Sequence, residues 1–353
     1  MAQESLTRHA LVAGATGLVG KRIAEHLCAN RWRVTGLSRN PPRARPGPCA
    51  YLAVDLADSR DCREKLAGLT DVTHVFYAAR YDHPEGERES VGINARMLEN
   101  LLDAVDGAAP ALTHVHLVHG TKYYGHMLGP RELPLTEDTP RANVPNFYFV
   151  QEDLVRARAK TWSYSTSRPH TFCDASIEEP RSAPLLLAVY ASLMRAVGRP
   201  LAFPGSEKAF HARTQFTYVP LLARAVHWMA TEPRCANQSY NVVNGDHPRW
   251  SELWPVLAGY FGIEPAGPAR VRLADYVADL EPAWQALTRE HGLAAVPLAQ
   301  RVLWPYADYL FAPEWDIISS ASKARRDGFV DRIDTPGMFV ELFDIFRSEK
   351  IIP

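Results

Sequence analysis

Long apolar runs are missing from this sequence: no stretch approaches the roughly 18–20 residues that a membrane-spanning helix needs. An excess of either charge is missing too. The 39 basic side chains face 40 acidic ones, which leaves no electrostatic case for nucleic acid or an anionic membrane as partner. Cysteine is sparse. Cys28, Cys49, Cys62, Cys173 and Cys235 are scattered, odd in number and never at metal-ligand spacing, so neither a disulfide framework nor a zinc site is expected. The polar start MAQESLTRH runs straight into a strand without a signal-peptide pattern, and a reduced, cytoplasmic chain is the expectation. There is no internal repeat and no low-complexity tract.

What is present is a rhythm. The stretch HALVAGATGLVGKRIAEHLCANRWRVTGLSRNP reads as strand, tight turn, helix, strand, with Val19, Ile23 and Leu27 forming one apolar helix stripe. AYLAVDLAD, THVFYAA and LTHVHLVHG are further strand-like runs, separated by helical stretches such as SVGINARMLENLLDAV. Such alternation with short loops predicts an α/β chain: a Rossmann-type, doubly wound parallel sheet with helices on both faces. Beyond about Arg168, proline and tryptophan become frequent and the rhythm fades, although FTYVPLLARAVHWMA and SYNVVNGD return to it. The expected division is a dinucleotide-binding domain over 1–172 and 217–247, and a smaller, mostly helical substrate lobe over 173–216 and 248–353.

The turn Gly14-Ala15-Thr16-Gly17-Leu18-Val19-Gly20 has G-x-x-G-x-x-G spacing between a strand and a helix. Glycines let the backbone approach a pyrophosphate, and the helix start offers free N–H donors to it. Gly14, Thr16, Gly17, Leu18 and Val19 are therefore candidate cofactor contacts. The second strand ends in Ser38-Arg39-Asn40, with Arg43 and Arg45 in the next loop. A guanidinium and a hydroxyl suit a ribose 2′-phosphate, whereas a carboxylate there would suit NAD, so the cofactor expected is NADPH. Asp55-Leu56, after the third strand, can take the adenine, or Asp55 can cap the next helix. Ala78, the next-to-last residue of THVFYAA, joins the cofactor set.

The fold points to the short-chain dehydrogenase/reductase superfamily, whose usual catalytic pair is Tyr-x-x-x-Lys. Tyr148 occupies the tyrosine position, but Glu152 stands where the lysine belongs. An anion there raises a phenol's pKa instead of lowering it. HGTKYYG (119–125) offers a replacement cation, Lys122, at the end of a strand, with Gly120 and Thr121 near the place of the usual catalytic serine. Tyr123 and Tyr124 are rival tyrosines with expected structural duty.

The pieces GATGLVG (14–20), THVFYAA (73–79), GTKYYG (120–125), LTEDTPR (135–141), NFYFVQED (146–153), SRP (167–169), YNVVNGDHPRWSELWPVLAGYFG (240–262) and SKARRDGF (322–329) resemble the progesterone 5β-reductase/iridoid synthase-like enone reductases. These form an atypical branch of the extended short-chain dehydrogenases. The resemblance implies Lys122 and Tyr148 as the catalytic pair and NADPH as hydride source. It implies a small hydrophobic enone or enal as substrate, with hydride going to the β-carbon, and no metal. Pro169 and Tyr148 would border the cofactor, and Phe172 and Phe210 the substrate. The chain departs from that pattern at Phe149, where a second tyrosine is usual, at His170, where glycine is usual, and in carrying the single Arg39. Two other readings stay open: a carbonyl reductase using the same donor, and a non-catalytic dinucleotide-binding sensor. A homodimer is compatible with the sequence. His114 and His116 share one strand face but lack an evident third metal ligand.

Overall fold

The computed structural model describes residues 8–42, 49–81, 89–177 and 181–353. Its centre is a seven-stranded sheet built from β1 (His9–Ala13), β2 (Arg33–Ser38), β3 (Ala50–Ala53), β4 (His74–Tyr77), β5 (His114–Val118), β6 (Ser163–Pro169) and one later strand. Beyond β6 come three short strands, β7 (Thr171–Cys173), β8 (Leu201–Phe203) and β9 (Phe216–Tyr218), and then β10 (Gln238–Val242), the seventh strand. The spatial order is β10-β6-β5-β4-β1-β2-β3, and every neighbouring pair is parallel. The order reverses at β1, so ligands are expected outside the carboxyl ends of the strands there.

Helices cover both faces. On one side lie α1 (Leu18–Ala29) and the later helix Val219–Thr231, packed through Val19, Ile23, Leu27, Leu222 and Val226. On the other lie α2 (Ser59–Leu66), α3 (Val91–Ala108) and α4 (Phe147–Arg158), packed through Leu66, Leu98, Leu102 and Val155. With both faces covered, the strands read as apolar runs, as at β1, which is buried throughout.

A third core lies apart from the sheet. It is built on α5 (Ala183–Ala196), with α6 (Glu207–His211), α8 (Trp250–Phe261) and the C-terminal helix Thr335–Ser348, α7 (Val219–Thr231) being the helix already placed beside α1. α5 is apolar on all sides and buried from Ala183 to Met194, which is why it shows no amphipathic stripe in the sequence. β6 also escapes a sequence reading. Ser163-Tyr164-Ser165-Thr166-Ser167 carries few apolar residues, yet the strand runs inside the sheet between β5 and β10. Its serines are satisfied by histidines of β5: Ser163 by His114 (2.8 Å), Ser165 by His114 and His116 (both 2.8 Å), and Ser167 by His116 (3.1 Å). No helix among the described residues is long and apolar enough to cross a membrane.

Candidate active site

The glycine turn joins β1 to α1. Gly14 has φ +78°, and a Cβ there would stand 2.8 Å from the Ala78 carbonyl oxygen; one on Gly20 would stand 2.1 Å from the Gly14 carbonyl oxygen. Both positions need glycine for close approach. Gly17 caps α1 with no side-chain hydrogen bond, and the first turn holds no acidic residue. The helix start thus keeps its N–H groups available to an anion. Thr16 is exposed beside it and shares a 2.8 Å hydrogen bond with Ser38 at the end of β2. Leu18 is partly buried and Val19 buried on the inner side of the helix. Arg39 and Asn40 are exposed, while Arg43 and Arg45 lie outside the described residues. Asp55 does not cap α2. Its carboxylate accepts from the Ala57 amide at 3.0 Å, and Asp58 is the cap, accepting from the Arg60 and Asp61 amides. Leu56 is buried. A bare helix start and a backbone cradle that a Cβ would fill are what a dinucleotide phosphate requires.

At the same edge of the sheet, α4 and the loop after β5 meet through Asn146. Its side chain accepts from the Tyr148 amide at 3.0 Å, capping α4, and donates to the Lys122 carbonyl at 3.3 Å. One asparagine thereby fixes Tyr148 in the first helical turn and ties it to the lysine loop. Tyr148 is half-buried, its ring stacked on His119 at 4.7 Å, and its hydroxyl forms no hydrogen bond with a described residue. A Cβ on Gly120 would stand 3.3 Å from that hydroxyl and 3.5 Å from the Pro169 carbonyl oxygen. A serine at 120 would therefore crowd the phenol. Burial pushes the Tyr148 phenol up, Glu89 pushes it further, and Arg80 opposes them.

Lys122 sits in a 3-10 turn, Thr121–Tyr124, and is 41% exposed. Its ammonium pairs with Glu89 at 3.0 Å and lies 5.9 Å from the Tyr309 ring centroid. Glu89 in turn pairs with Arg80 at 2.7 Å. Glu89 and Tyr309, which hold Lys122, also act on the Tyr148 hydroxyl. Glu89 and Arg80 were not among the residues singled out in the sequence. Nothing in their spacing joins them to Lys122.

Glu152 belongs to a different construction. It is 1% exposed and accepts from Tyr123 (2.8 Å), Arg141 (2.7 Å), Arg156 (3.4 Å) and Arg168 (3.4 Å). Arg168, 2% exposed, lies 3.6 Å from the Tyr123 ring centroid and donates to Tyr124 and to the Glu137 carbonyl. Burial pushes the Glu152 carboxyl up, but Arg141, Tyr123 and Arg168 together bring it below its usual range. A lysine at 152 would join three arginines, so the usual Tyr-x-x-x-Lys pair is closed to this chain. Glu152→Ala should cost about 3–5 kcal/mol of stability, because it strands the buried Arg168; urea unfolding checks this. Phe149 packs edge-on to Tyr123 at 5.1 Å and under Arg141 at 5.2 Å, the role of an apolar ring rather than a second phenol.

His170 follows the buried Pro169. Its Nδ1 shares a 2.6 Å hydrogen bond with Thr121, and its ring meets His126 at 4.9 Å. Phe210 packs on Phe203 at 5.0 Å in the third core, and Phe172 lies against the α1-side core. Both rings are partly buried. His114 and His116 spend both ring nitrogens on serines.

A family model for the PRISE-like Rossmann-fold domain matches residues 55–353. The chain is 34% identical to the 3-oxo-Δ(4,5)-steroid 5-β-reductase of Arabidopsis thaliana, over 99% of this chain and 94% of that protein. It is also 34% identical to an (S)-8-oxocitronellyl enol synthase of Nepeta cataria, over 98% of this chain and 91% of that protein. Among solved structures, the Bordetella bronchiseptica enzyme WbmG in complex with NAD aligns with a TM-score of 0.68 at 14% identity, covering 100% of this chain and 98% of that one. UDP-glucose 4-epimerase of Thermotoga maritima aligns at 0.66 and 15% identity, covering 96% and 99%. At such identities the solved structures speak for the fold alone. The class is thereby defined: a Rossmann-fold oxidoreductase of the short-chain dehydrogenase/reductase kind. Within it, the chain belongs to the PRISE-like Rossmann-fold family.

Proposed function

We propose that this protein is an NADPH-dependent reductase of activated carbon–carbon double bonds, acting on small hydrophobic enones or enals. The observation that carries the reading is Tyr148 itself: a proton-bearing phenol whose hydroxyl forms no hydrogen bond with a described residue, at the carboxyl edge of the sheet where Lys122 arrives from another segment. The relatives' names fit, since a 3-oxo-Δ(4,5)-steroid is an enone. The nicotinamide, when bound, supplies the hydride that goes to the β-carbon. Tyr148 donates its hydroxyl proton as a hydrogen bond to the substrate's carbonyl oxygen, where negative charge gathers. Lys122 adds positive potential at that oxygen, and the α-carbon of the resulting enolate takes its proton from solvent to give the saturated carbonyl compound.

Gly14, Thr16, Gly17, Leu18 and Val19 would cradle the pyrophosphate, and Asp55, Leu56, Ala78 and Pro169 would line the remaining cofactor groove. The absence of a carboxylate at Ser38-Arg39-Asn40 supports NADPH over NADH, with exposed Arg39 reaching the 2′-phosphate. The third core, over 173–216 and 248–353, would form the wall of the substrate cleft.

The test is turnover of 2-cyclohexenone with each nicotinamide and identification of the product. The saturated ketone is expected, with NADPH preferred about tenfold or more, the worth of one charge-assisted hydrogen bond. An allylic alcohol would instead make the protein a carbonyl reductase. Cofactor binding without turnover of any enone or aldehyde would make it a sensor.

A further inference from the structure

His170 stands between β6 and β7 and is anchored at three points. Its amide donates to the Thr217 hydroxyl at 3.0 Å, and that hydroxyl donates to the Val242 carbonyl at 2.8 Å. Its Nδ1 shares a 2.6 Å hydrogen bond with the hydroxyl of the buried Thr121. The buried His126 meets its ring edge-on at 4.9 Å. Only Nε2 is left over. It forms no hydrogen bond with a described residue, and it is not sealed inside the protein. Backbone, one ring nitrogen and one ring edge are fixed, and the second nitrogen is open.

The position in the sheet says what that nitrogen can meet. The phosphate turn ends β1, and β6 lies three strands away, past β4 and β5. A dinucleotide with its pyrophosphate on α1 and its adenosine over β2 sends its other half across β4 and β5 toward β6. Tyr148 stands at that end. Its hydroxyl is 3.3 Å, and the Pro169 carbonyl oxygen 3.5 Å, from the single point that a Cβ on Gly120 would take. Thr121 and His170 are the residues that follow Gly120 and Pro169, and the 2.6 Å bond joins them. Burial and His126 hold the imidazole neutral, its pKa well below the usual value. The tautomer of a neutral imidazole follows the bond made by its other nitrogen. If the Thr121 hydroxyl donates to Nδ1, Nε2 is a donor; if it accepts, Nε2 is an acceptor. A carboxamide carries an N–H and a C=O on one rotatable group and satisfies either form.

We propose that His170 is a cofactor-binding residue: its Nε2, left open by the bond from Nδ1 to Thr121, forms a hydrogen bond with the carboxamide of the nicotinamide. This rests on the reading of the chain as a nicotinamide-dependent reductase. It gives Thr121 a part as well, since the threonine holds the imidazole at the angle the contact needs. A nicotinamide gripped by its carboxamide does not turn over about its glycosidic bond, so one face of the ring is offered to the substrate.

The experiment is titration calorimetry on the full-length protein with two ligands: NADPH, and 2′-phospho-ADP-ribose, which lacks only the nicotinamide. His170→Asn keeps a polar atom in the place of Nδ1, where it can hold Thr121, and has nothing in the place of Nε2. It should weaken NADPH about tenfold, the worth of one well-placed hydrogen bond, and leave 2′-phospho-ADP-ribose within about twofold. His170→Gln, whose amide extends to the place of Nε2, should keep the ratio of the two affinities within about threefold of the parent's. An unchanged NADPH affinity in His170→Asn would overturn the proposal; a raised enone KM alongside it would put Nε2 on the substrate instead. An equal loss for both ligands would overturn it too, making His170 a support of the whole groove. If His170→Asn does not fold, the ratio in His170→Gln decides, and its collapse counts against the proposal. A parent that binds NADH more tightly is tested with NADH and ADP-ribose in the same way, and one that binds no nicotinamide dinucleotide sinks the proposal. If the parent binds cofactor but reduces no enone, the functional reading falls, and the affinity ratio still decides the role of His170.

Discussion

Replacing Tyr148 with phenylalanine is expected to lower kcat/KM for enone reduction about 10²–10³-fold, the usual consequence of removing one oxyanion donor. kcat should fall with it, because a bond that strengthens only as charge develops belongs to the transition state more than to substrate binding. Two features make the substitution clean. The phenylalanine ring can keep the stack on His119 at 4.7 Å and the edge contact with Phe147 at 4.5 Å. The hydroxyl it removes forms no hydrogen bond with a described residue, so little stability is lost. NADPH affinity, measured by quenching of protein fluorescence, should stay within about twofold, which is below 0.5 kcal/mol. Undiminished reduction by Tyr148→Phe would move the oxygen-directed donor to another residue.

Acid should unfold this protein at an unusually mild pH, near 5. His74, His114, His116 and His119 are 7%, 4%, 0% and 2% exposed. Burial is the first cause that lowers each of them: His74 to about 4, His114 and His119 to about 3, and His116 well below its usual value. These rings stay neutral in the folded chain while the same rings in the unfolded chain take up protons below about pH 6.5. The unfolded state then binds more protons, so stability falls as pH falls, from about 6.5 down to the folded values. Each ring contributes about 1.4 kcal/mol per pH unit in that window. Four acting together give a slope of about 5 kcal/mol per unit, comparable with the whole stability of a domain. Urea midpoints measured between about pH 8 and pH 4 will check it. A profile flat to pH 4 would mean that the rings are already protonated in the fold.

The elements that could be read from the chain are those whose signal is local. The strand–glycine–helix start needs only neighbouring residues: an apolar run, a turn that excludes Cβ atoms at Gly14 and Gly20, and the stripe Val19, Ile23, Leu27. α5 and β6 gave no such signal. α5 is buried all round and so has no stripe, and β6 fills its buried face with serines that only a facing strand of histidines can satisfy. Asn146 reads locally as a helix cap, but its second bond, to the Lys122 carbonyl, spans 24 positions.

By itself the sequence determined the doubly wound sheet, the phosphate turn, and the presence of a tyrosine without its customary lysine, together with a lysine in another loop. Each of these follows from spacing and residue type along a few turns of backbone. What the tertiary structure decided is who partners whom: Glu152 with Arg141 and Arg168, Lys122 with Glu89, His119 with Tyr148. An ion or a ring is satisfied by any suitable group within reach, and local pattern does not say which. Only the folded path of the chain brings one particular partner to within 3 or 4 Å of a buried charge and leaves the others in water.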